Sequence, residues 1–103
     1  MNPEEKIVLM VLVAGRKQKD DLLSMLHESG IRLINVMYGK GTVKAGYLTS
    51  LLGLVPEENK VMIICVTTSN KSDAALVSLA EQFNFGEPNT GIAFTIPVDK
   101  MSY

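Results

Sequence analysis

The chain has 103 residues, which is enough for one domain with a hydrophobic core and too few for two. With 47% hydrophobic and 20% charged residues, its composition excludes a disordered chain. Ten basic and eleven acidic residues, with no long basic stretch, argue against nucleic-acid binding.

Three features bear on the cellular compartment. The longest apolar run, from Ile7 to Ala14, is far shorter than the ~20 residues that cross a bilayer, so we expect no direct membrane insertion. The first residues include Glu4 and Glu5, whereas a secretion signal begins with basic residues. The single cysteine, Cys65, lies in an apolar run and has no partner for an internal disulfide. These features favour a cytoplasmic protein.

The first half of the chain predicts a strand, a helix and a second strand. Lys6 to Val13 is a run of β-branched and long apolar residues, typical of a buried strand. Apolar residues then recur at helical spacing over Lys17 to Ser29, and Gly30 stands where a C-terminal cap glycine belongs. The pattern from Ile31 to Tyr38 predicts the second strand.

The second half repeats this order. Lys60 to Thr67 is strongly β-branched and predicts a strand. Thr68-Ser69-Asn70 offers helix caps, of which Asn70 forms an approximate capping box with Asp73. We expect the helix to run from about Lys71 to Phe83, and Ile92 to Val98 to form the last strand.

This order predicts an α+β protein of a single domain, residues 1–103, with the ferredoxin-like β-α-β-β-α-β sandwich. Two helices with one apolar stripe each would cover one face of an antiparallel sheet. In the first strand Val8, Met10 and Leu12 alternate with Ile7, Leu9, Val11 and Val13, so both of its faces are apolar. We therefore expect the chain to associate with itself.

The connector from Gly39 to Asn59 is unusually long for a small domain, and such loops are commonly functional. Its first part is glycine-rich and cationic, with Lys40 and Lys44. Its second part is apolar, which allows two interpretations: a short helix that packs on its own core, or a loop that contacts a partner. The candidate partner-binding residues are Lys44, Tyr47, Leu48, Leu51 and Leu52.

The sequence shows no pattern typical of a catalytic or metal site. Acid-base catalysis needs carboxylates or histidines held together in a cleft, whereas the carboxylates here fall on polar helix faces and in loops. His27 is the only histidine, and Cys65 has no His or Cys nearby in sequence. We expect a protein that is not an enzyme and holds no metal.

Two glycine turns are the candidate ligand site. Gly39-Lys40-Gly41 follows the second predicted strand, and Thr90-Gly91 precedes the last one. Glycines let backbone amides approach an anion closely, and Lys40 adds charge. The predicted topology puts both turns at the same end of the sheet and close together.

The topology, the long loop after the second strand and the ending Gly91-Ile92-Ala93-Phe94-Thr95-Ile96-Pro97-Val98 resemble the P-II nitrogen-regulatory signalling proteins over essentially the whole chain. The stretches from Leu51 to Val61 and from Gly86 to Pro97 resemble a divergent, mostly uncharacterised P-II-like subgroup. The resemblance implies a homotrimer in which Gly39, Lys40, Gly41, Thr90 and Gly91 face a nucleotide or other small effector between subunits. It also implies that residues 39–59, the T-loop-like insert, contact a partner such as a membrane transporter.

The chain also departs from the family pattern. The family has Gly-Asp-Gly-Lys where this chain has Asn89, Thr90, Gly91 and Ile92, and the insert lacks the Tyr-Arg-Gly-Ala-Glu-Tyr motif. We also expect no basic C-terminal loop after Tyr103. The resemblance therefore implies neither the standard mode of ATP binding nor uridylylation at the usual tyrosine. An alternative that fits the same fold is a ferredoxin-like amino-acid-binding regulatory module that acts as a dimer.

Overall fold

The structure, a computed structural model, describes residues 5–40, 59–87 and 90–102. The elements are β1 (Ile7–Gly15), a 3-10 turn (Arg16–Gln18), α1 (Lys19–Glu28), β2 (Leu33–Lys40), β3 (Asn59–Thr68), α2 (Ser69–Gln82) and β4 (Gly91–Pro97). This is the predicted α+β order of strand, helix, strand, strand, helix, strand. None of the helices in the described ranges is long and apolar enough to cross a membrane.

The four strands form one antiparallel sheet in the order β2-β3-β1-β4. β1 lies in the middle and pairs with β3 from Ile7↔Thr68 to Gly15↔Lys60, and with β4 from Val8↔Pro97 to Ala14↔Gly91. β2 and β4 are therefore the edges. The ferredoxin-like topology predicted from the element order is confirmed.

The core lies between one face of the sheet and the two helices. Met10, Leu12 and Ala14 of β1 point to this face, and their partners on β3 are Cys65, Ile63 and Val61. All six side chains are at most 1% exposed. The helices cover them with the buried residues Leu22, Met25 and Leu26 of α1 and Ala75 and Leu79 of α2. Burial of each large aliphatic side chain stabilises the fold by about 2 kcal/mol.

The end of α1 confirms the predicted glycine cap. Gly30 has φ +81°, a conformation that glycine adopts without strain. The amide of Gly30 donates to the carbonyl of His27, and the amide of Ile31 donates to that of Leu26, each at 3.0 Å. This pair of hydrogen bonds is the Schellman motif, and it turns the chain directly into β2.

At the start of α2 the structure selects one of the three predicted cap candidates. The cap is Thr68 and not the capping box at Asn70, because Thr68 is still extended and its hydroxyl accepts a hydrogen bond from the amide of Lys71 at 3.4 Å. The helix therefore begins at Ser69. Asn70 already has a place in the first turn and cannot cap it.

The connector between the middle strands begins later and ends earlier than the sequence pattern indicated. Gly39 and Lys40 belong to β2, and Asn59 belongs to β3, because the strand pairing continues through Gly39↔Lys60 and Lys40↔Asn59. A ladder that is hydrogen-bonded on one side keeps even a glycine extended. What remains between the strands is residues 41–58, which lie outside the described part of the chain.

None of the helices in the described ranges lies on the second face of the sheet, and we call it the open face. Its side chains form three rows across the strand order β2, β3, β1 and β4, and in the described strands Asn35 is the polar exception within these rows. Leu33 is 70% exposed and Ile96 48% exposed. The rows are Leu33-Val66-Leu9-Ile96, Asn35-Ile64-Val11-Phe94 and Met37-Met62-Val13-Ile92.

The buried thiol of Cys65 should make stability depend on pH. Burial raises its pKa to about 11 from an ordinary value of 9.0, because the apolar core disfavours the thiolate. The unfolded chain ionises first as the pH rises, so this thiol's stabilising contribution is present below pH 9 and is lost toward pH 11. We expect that loss to be about 2 kcal/mol between pH 8 and pH 11.

Urea denaturation of the wild type and of Cys65→Ala at several pH values measures this contribution. The variant should be less stable near pH 7 because it leaves a cavity, but its free energy of unfolding should fall less steeply above pH 9, so that the two stabilities converge toward pH 11. Parallel pH profiles for the two proteins would contradict the prediction.

Candidate ligand site at one end of the sheet

The two predicted turns lie at the same end of the sheet but at opposite edges. Gly39 of β2 is paired with Lys60 of β3, which is paired with Gly15 of β1. Gly91 of β4 is paired with Ala14, one position further into the sheet. Three strand spacings, about 14 Å, therefore separate the turns within one chain. The prediction of the same end is confirmed, but the expectation that they are close together is wrong for a single chain.

The first turn leaves space for a ligand at its start. Gly39 is exposed, and a methyl group in place of its hydrogen would meet nothing within 4 Å. The backbone of Lys40 pairs with Asn59. Gly41 lies outside the described residues. Neither backbone strain nor packing therefore requires glycine at position 39, and the space beside it is open to solvent.

The second turn is held by its own hydrogen bonds. The hydroxyl of Thr90 lies 2.7 Å from the carbonyl oxygen of Asn84 and 2.8 Å from that of Glu87, and it donates its single hydrogen between them. Asn84 has φ +57° and Gly86 φ +115°, so the chain reverses sharply here. Thr90 thereby closes the turn between α2 and β4. Its predicted role as a ligand-binding residue stays a prediction.

Gly91 has a packing role that sequence reasoning missed. A Cβ at this position would lie 2.5 Å from Cζ of Phe85, so the aromatic ring occupies the space that any other residue would fill. Phe85 is nearly buried, and its ring meets that of Phe83 edge to face with centroids 6.4 Å apart. The signal available in the sequence is the Phe83-Asn84-Phe85 triplet that directly follows the helix. The ligand role of Gly91 also stays a prediction.

Basic residues at the same end of the sheet form a cluster that the sequence did not reveal. The guanidinium carbon of Arg16 lies 4.8 Å from the ring centroid of Tyr38, and the ammonium of Lys19 lies 5.6 Å from it. Lys19 also donates a hydrogen bond of 3.1 Å to the Tyr38 hydroxyl. This bond, more than the nearby carboxylate of Asp20, raises the pKa of Lys19. We call Arg16, Lys19 and Tyr38 the basic corner.

The remaining predicted site residues are the partner-binding set of Lys44, Tyr47, Leu48, Leu51 and Leu52. All five fall between residues 41 and 58 and lie outside the described part of the chain. The two interpretations of this segment, a helix on its own core or a partner-binding loop, therefore both stay open.

The other groups with reactive chemistry are far apart. His27 is exposed on α1, and Cys65 is buried in the core. Within the described ranges, no three His, Cys, Asp or Glu side chains come together as metal ligands. A shallow cavity of about 280 Å³ lies at the opposite end of the sheet, lined by Lys6, Ile7, Pro97, Val98, Asp99 and Met101. It includes none of the predicted site residues.

Several solved structures are similar to this chain in fold. No protein-family model and no curated protein matches the chain. A PII-like signalling protein from Thermus thermophilus superposes with a TM-score of 0.67 at 16% identity, over 91% of this chain and 89% of that one. CPII from Thiomonas intermedia K12, bound to ADP, AMP and acetate, gives 0.65 at 14%, over 94% and 93%.

A third similar structure is PII from Arabidopsis thaliana bound to citrate, with a TM-score of 0.65 at 19% identity, over 95% of this chain and 82% of that one. The three proteins come from distant organisms, and each is matched over most of its length. This chain therefore has the fold of the PII-like signalling proteins, as its resemblance implied.

Alanine substitutions test whether packing requires glycine at position 91 but not at position 39. Gly91→Ala should lower the free energy of unfolding by about 1–3 kcal/mol, because the new methyl group forces the Phe85 ring out of its place. Gly39→Ala is the matched control, since its methyl group enters open space. Urea denaturation measures both.

A double variant sharpens the assignment. Replacing Phe85 with Leu in the Gly91→Ala protein should remove part of the cost, because the smaller side chain yields the space. Equal stabilities of Gly91→Ala and Gly39→Ala would contradict the packing role of Gly91.

Proposed function

We propose that the chain is a PII-like regulatory protein that works as a homotrimer. In this proposal a small anionic effector binds in clefts between subunits, and the T-loop-like insert, now residues 41–58, contacts a partner. The role is regulatory rather than enzymatic, and the proposed compartment is the cytoplasm. The observation that carries the proposal is the open face of the sheet, combined with the PII-like fold.

The open face supports self-association on physical grounds. Soluble monomers rarely expose contiguous apolar patches larger than a few hundred Å². Here three rows of side chains, apolar except for Asn35, extend across all four strands. Five of these side chains are each more than a third exposed: Leu33, Met37, Met62, Phe94 and Ile96. A second and third copy of this chain offer the same apolar surface. Burial of these faces against each other would remove them from water.

The positions of the two turns support a ligand site between subunits. Within one chain, Gly39 and Gly91 lie on opposite edges of the sheet, too far apart for one small ligand to contact both closely. When open faces pack around a common axis, the β2 edge of one copy comes beside the β4 edge of the next. A site made of both turns then needs two chains.

The chemistry of the effector is proposed from the similar structures. CPII is bound to ADP, AMP and acetate, and Arabidopsis PII is bound to citrate. All of these are anions, and glycine-rich backbone near basic side chains suits anions. A nucleotide is the first effector to test. The partner, a membrane transporter in this proposal, follows from the resemblance and from the length of the insert.

Light scattering after size-exclusion chromatography tests the assembly. We expect a mass three times the chain mass of 11.2 kDa. Phe94→Glu places a charge in the middle row of the open face and should give single chains that remain folded, since Phe94 is already 41% exposed in the single chain.

Val77→Glu is the matched control for this assembly test. Val77 is 55% exposed on the outer surface of α2, away from the open face, so its substitution should leave the trimer mass unchanged. A wild-type monomer would refute the proposal. A dimer stabilised by amino acids but by no nucleotide would favour the amino-acid-binding alternative.

A thermal-shift screen with ADP, AMP, citrate and acetate tests the effector. A ligand at 100 times its dissociation constant stabilises the folded protein by about 2.7 kcal/mol, which such a screen detects. Gly39→Ala should keep the unfolding temperature of the free protein but reduce the ligand-induced shift, because its methyl group lies where the ligand approaches. An undiminished shift in this variant would remove Gly39 from the site.

A further inference from the structure

The basic corner brings two cations and one aromatic ring together from different elements of the fold. Arg16 comes directly after β1, and Lys19 is the first residue of α1, whereas Tyr38 lies on β2 with β3 between them. Both cations nevertheless lie within 6 Å of one ring centroid. The electron-rich face of the ring offsets part of the repulsion between the two positive charges.

The positive charge of this corner is only partly neutralised. Among the described residues, one carboxylate lies within ion-pair distance of the corner: Asp20, with an oxygen 3.5 Å from the ammonium of Lys19. The Asp20 side chain is 91% exposed, and such surface pairs contribute little. Asp21 is the other acidic residue in the first turn of α1. Arg16 has no carboxylate within that distance in the described ranges.

The hydrogen-bond donors of the corner remain available. An ammonium group can only donate, so the Tyr38 hydroxyl accepts from Lys19 and its own hydrogen stays free to donate. Of its three N–H groups, Lys19 directs one to Tyr38 and one toward Asp20, and it keeps the third. Arg16 packs against the ring, which leaves the N–H groups at the rim of its guanidinium in water. O–H, ammonium and guanidinium donors therefore converge around one exposed ring.

The surroundings leave room for an anion to enter. Tyr38 is 54% exposed, and Gly39, which follows it, has nothing within 4 Å of the position of a Cβ. An oxyanion with several oxygens could accept from all three side chains at once. Charged hydrogen bonds of this kind are shorter and stronger than neutral ones.

We propose that Arg16, Lys19 and Tyr38 bind an oxyanion that carries at least two negative charges, either a phosphate compound or a polycarboxylate. This site lies within a single chain and does not depend on the trimer. It also lies next to Gly39, so its occupant is held where the insert begins.

Calorimetric titration with pyrophosphate and with citrate, at constant ionic strength, tests the site. The double variant Arg16→Gln/Lys19→Gln should weaken the binding of at least one of these anions by about tenfold or more, because it removes both positive charges and their charged hydrogen bonds. Tyr38→Phe keeps the ring but removes the hydroxyl donor, and should weaken binding by about threefold or more. Selective loss for pyrophosphate assigns a phosphate ligand, and selective loss for citrate assigns a polycarboxylate.

The control is the double variant Arg32→Gln/Lys100→Gln, which removes the same net charge from exposed positions outside the corner. It should retain binding within about twofold. Equal weakening by the two double variants would overturn the proposal, since it would show attraction by net charge alone. The absence of saturable binding to the wild type below about 10 mM of either anion would overturn it too.

Discussion

The pairing of β1 on both of its sides is the constraint on which the rest of this structure depends. β1 joins β3 and β4 through antiparallel ladders, so among the described strands it connects the β2-β3 pair to β4. Its even-numbered residues supply the centre of the core, with Met10 and Leu12 fully buried. Its odd-numbered residues lie at the centre of the open face. A strand that is apolar on both sides needs cover on both sides, and the two helices provide it on one side only.

The geometry of the candidate site follows from the same strand. Because β1 and β3 separate β2 from β4, the glycine turns that leave the two edge strands are held apart in each chain. The basic corner arises where β1 ends at Gly15 and the chain turns over β3 to reach Tyr38. The end of the sheet that holds both turns thus also holds the positive charge of the basic corner. Within one chain, Gly39 and the basic corner lie near the β2 edge, whereas Gly91 lies at the β4 edge.

Much of this fold could be predicted from the sequence because its signals are local. The strands, the helices and the glycine cap at Gly30 depend on periodicity and on residues within one turn of each other. Where a neighbouring strand decides the outcome, the boundary of the connector was misplaced and the choice among three helix caps stayed open. Gly39 is extended because Lys60 pairs with it, and Thr68 caps α2 because β3 delivers it in extended form.

The same distinction applies to the candidate site. Residue types and glycines indicated the two turns, and their common end of the sheet followed from topology. The contact of Phe85 with Gly91 and that of Arg16 with Tyr38 join residues that are far apart in the sequence or on different elements. The periodicity of a single helix or strand therefore cannot predict them. The distance between the turns also depended on strand order. The fold type indicates that β2 and β4 are the edge strands. Only the register of the strand pairs shows that Gly39 and Gly91 are too far apart in one chain to share a small ligand.

The two-sided apolarity of β1 has a consequence for how the chain finds its register. In most sheets a slip by one residue moves apolar side chains into water, so the hydrophobic pattern itself rejects the error. From Ile7 to Ala14 every residue is apolar, so a strand shifted by one residue would still place apolar side chains on both faces of the sheet. The information that aligns β1 must therefore come from its ends. There the Ser69 hydroxyl accepts a hydrogen bond from the amide of Lys6 at 3.3 Å, and the amide of Ser69 donates back to the carbonyl of Lys6 at 2.8 Å. Aliphatic exchanges within β1 are for this reason easier to tolerate during evolution than insertions or deletions at either end of it.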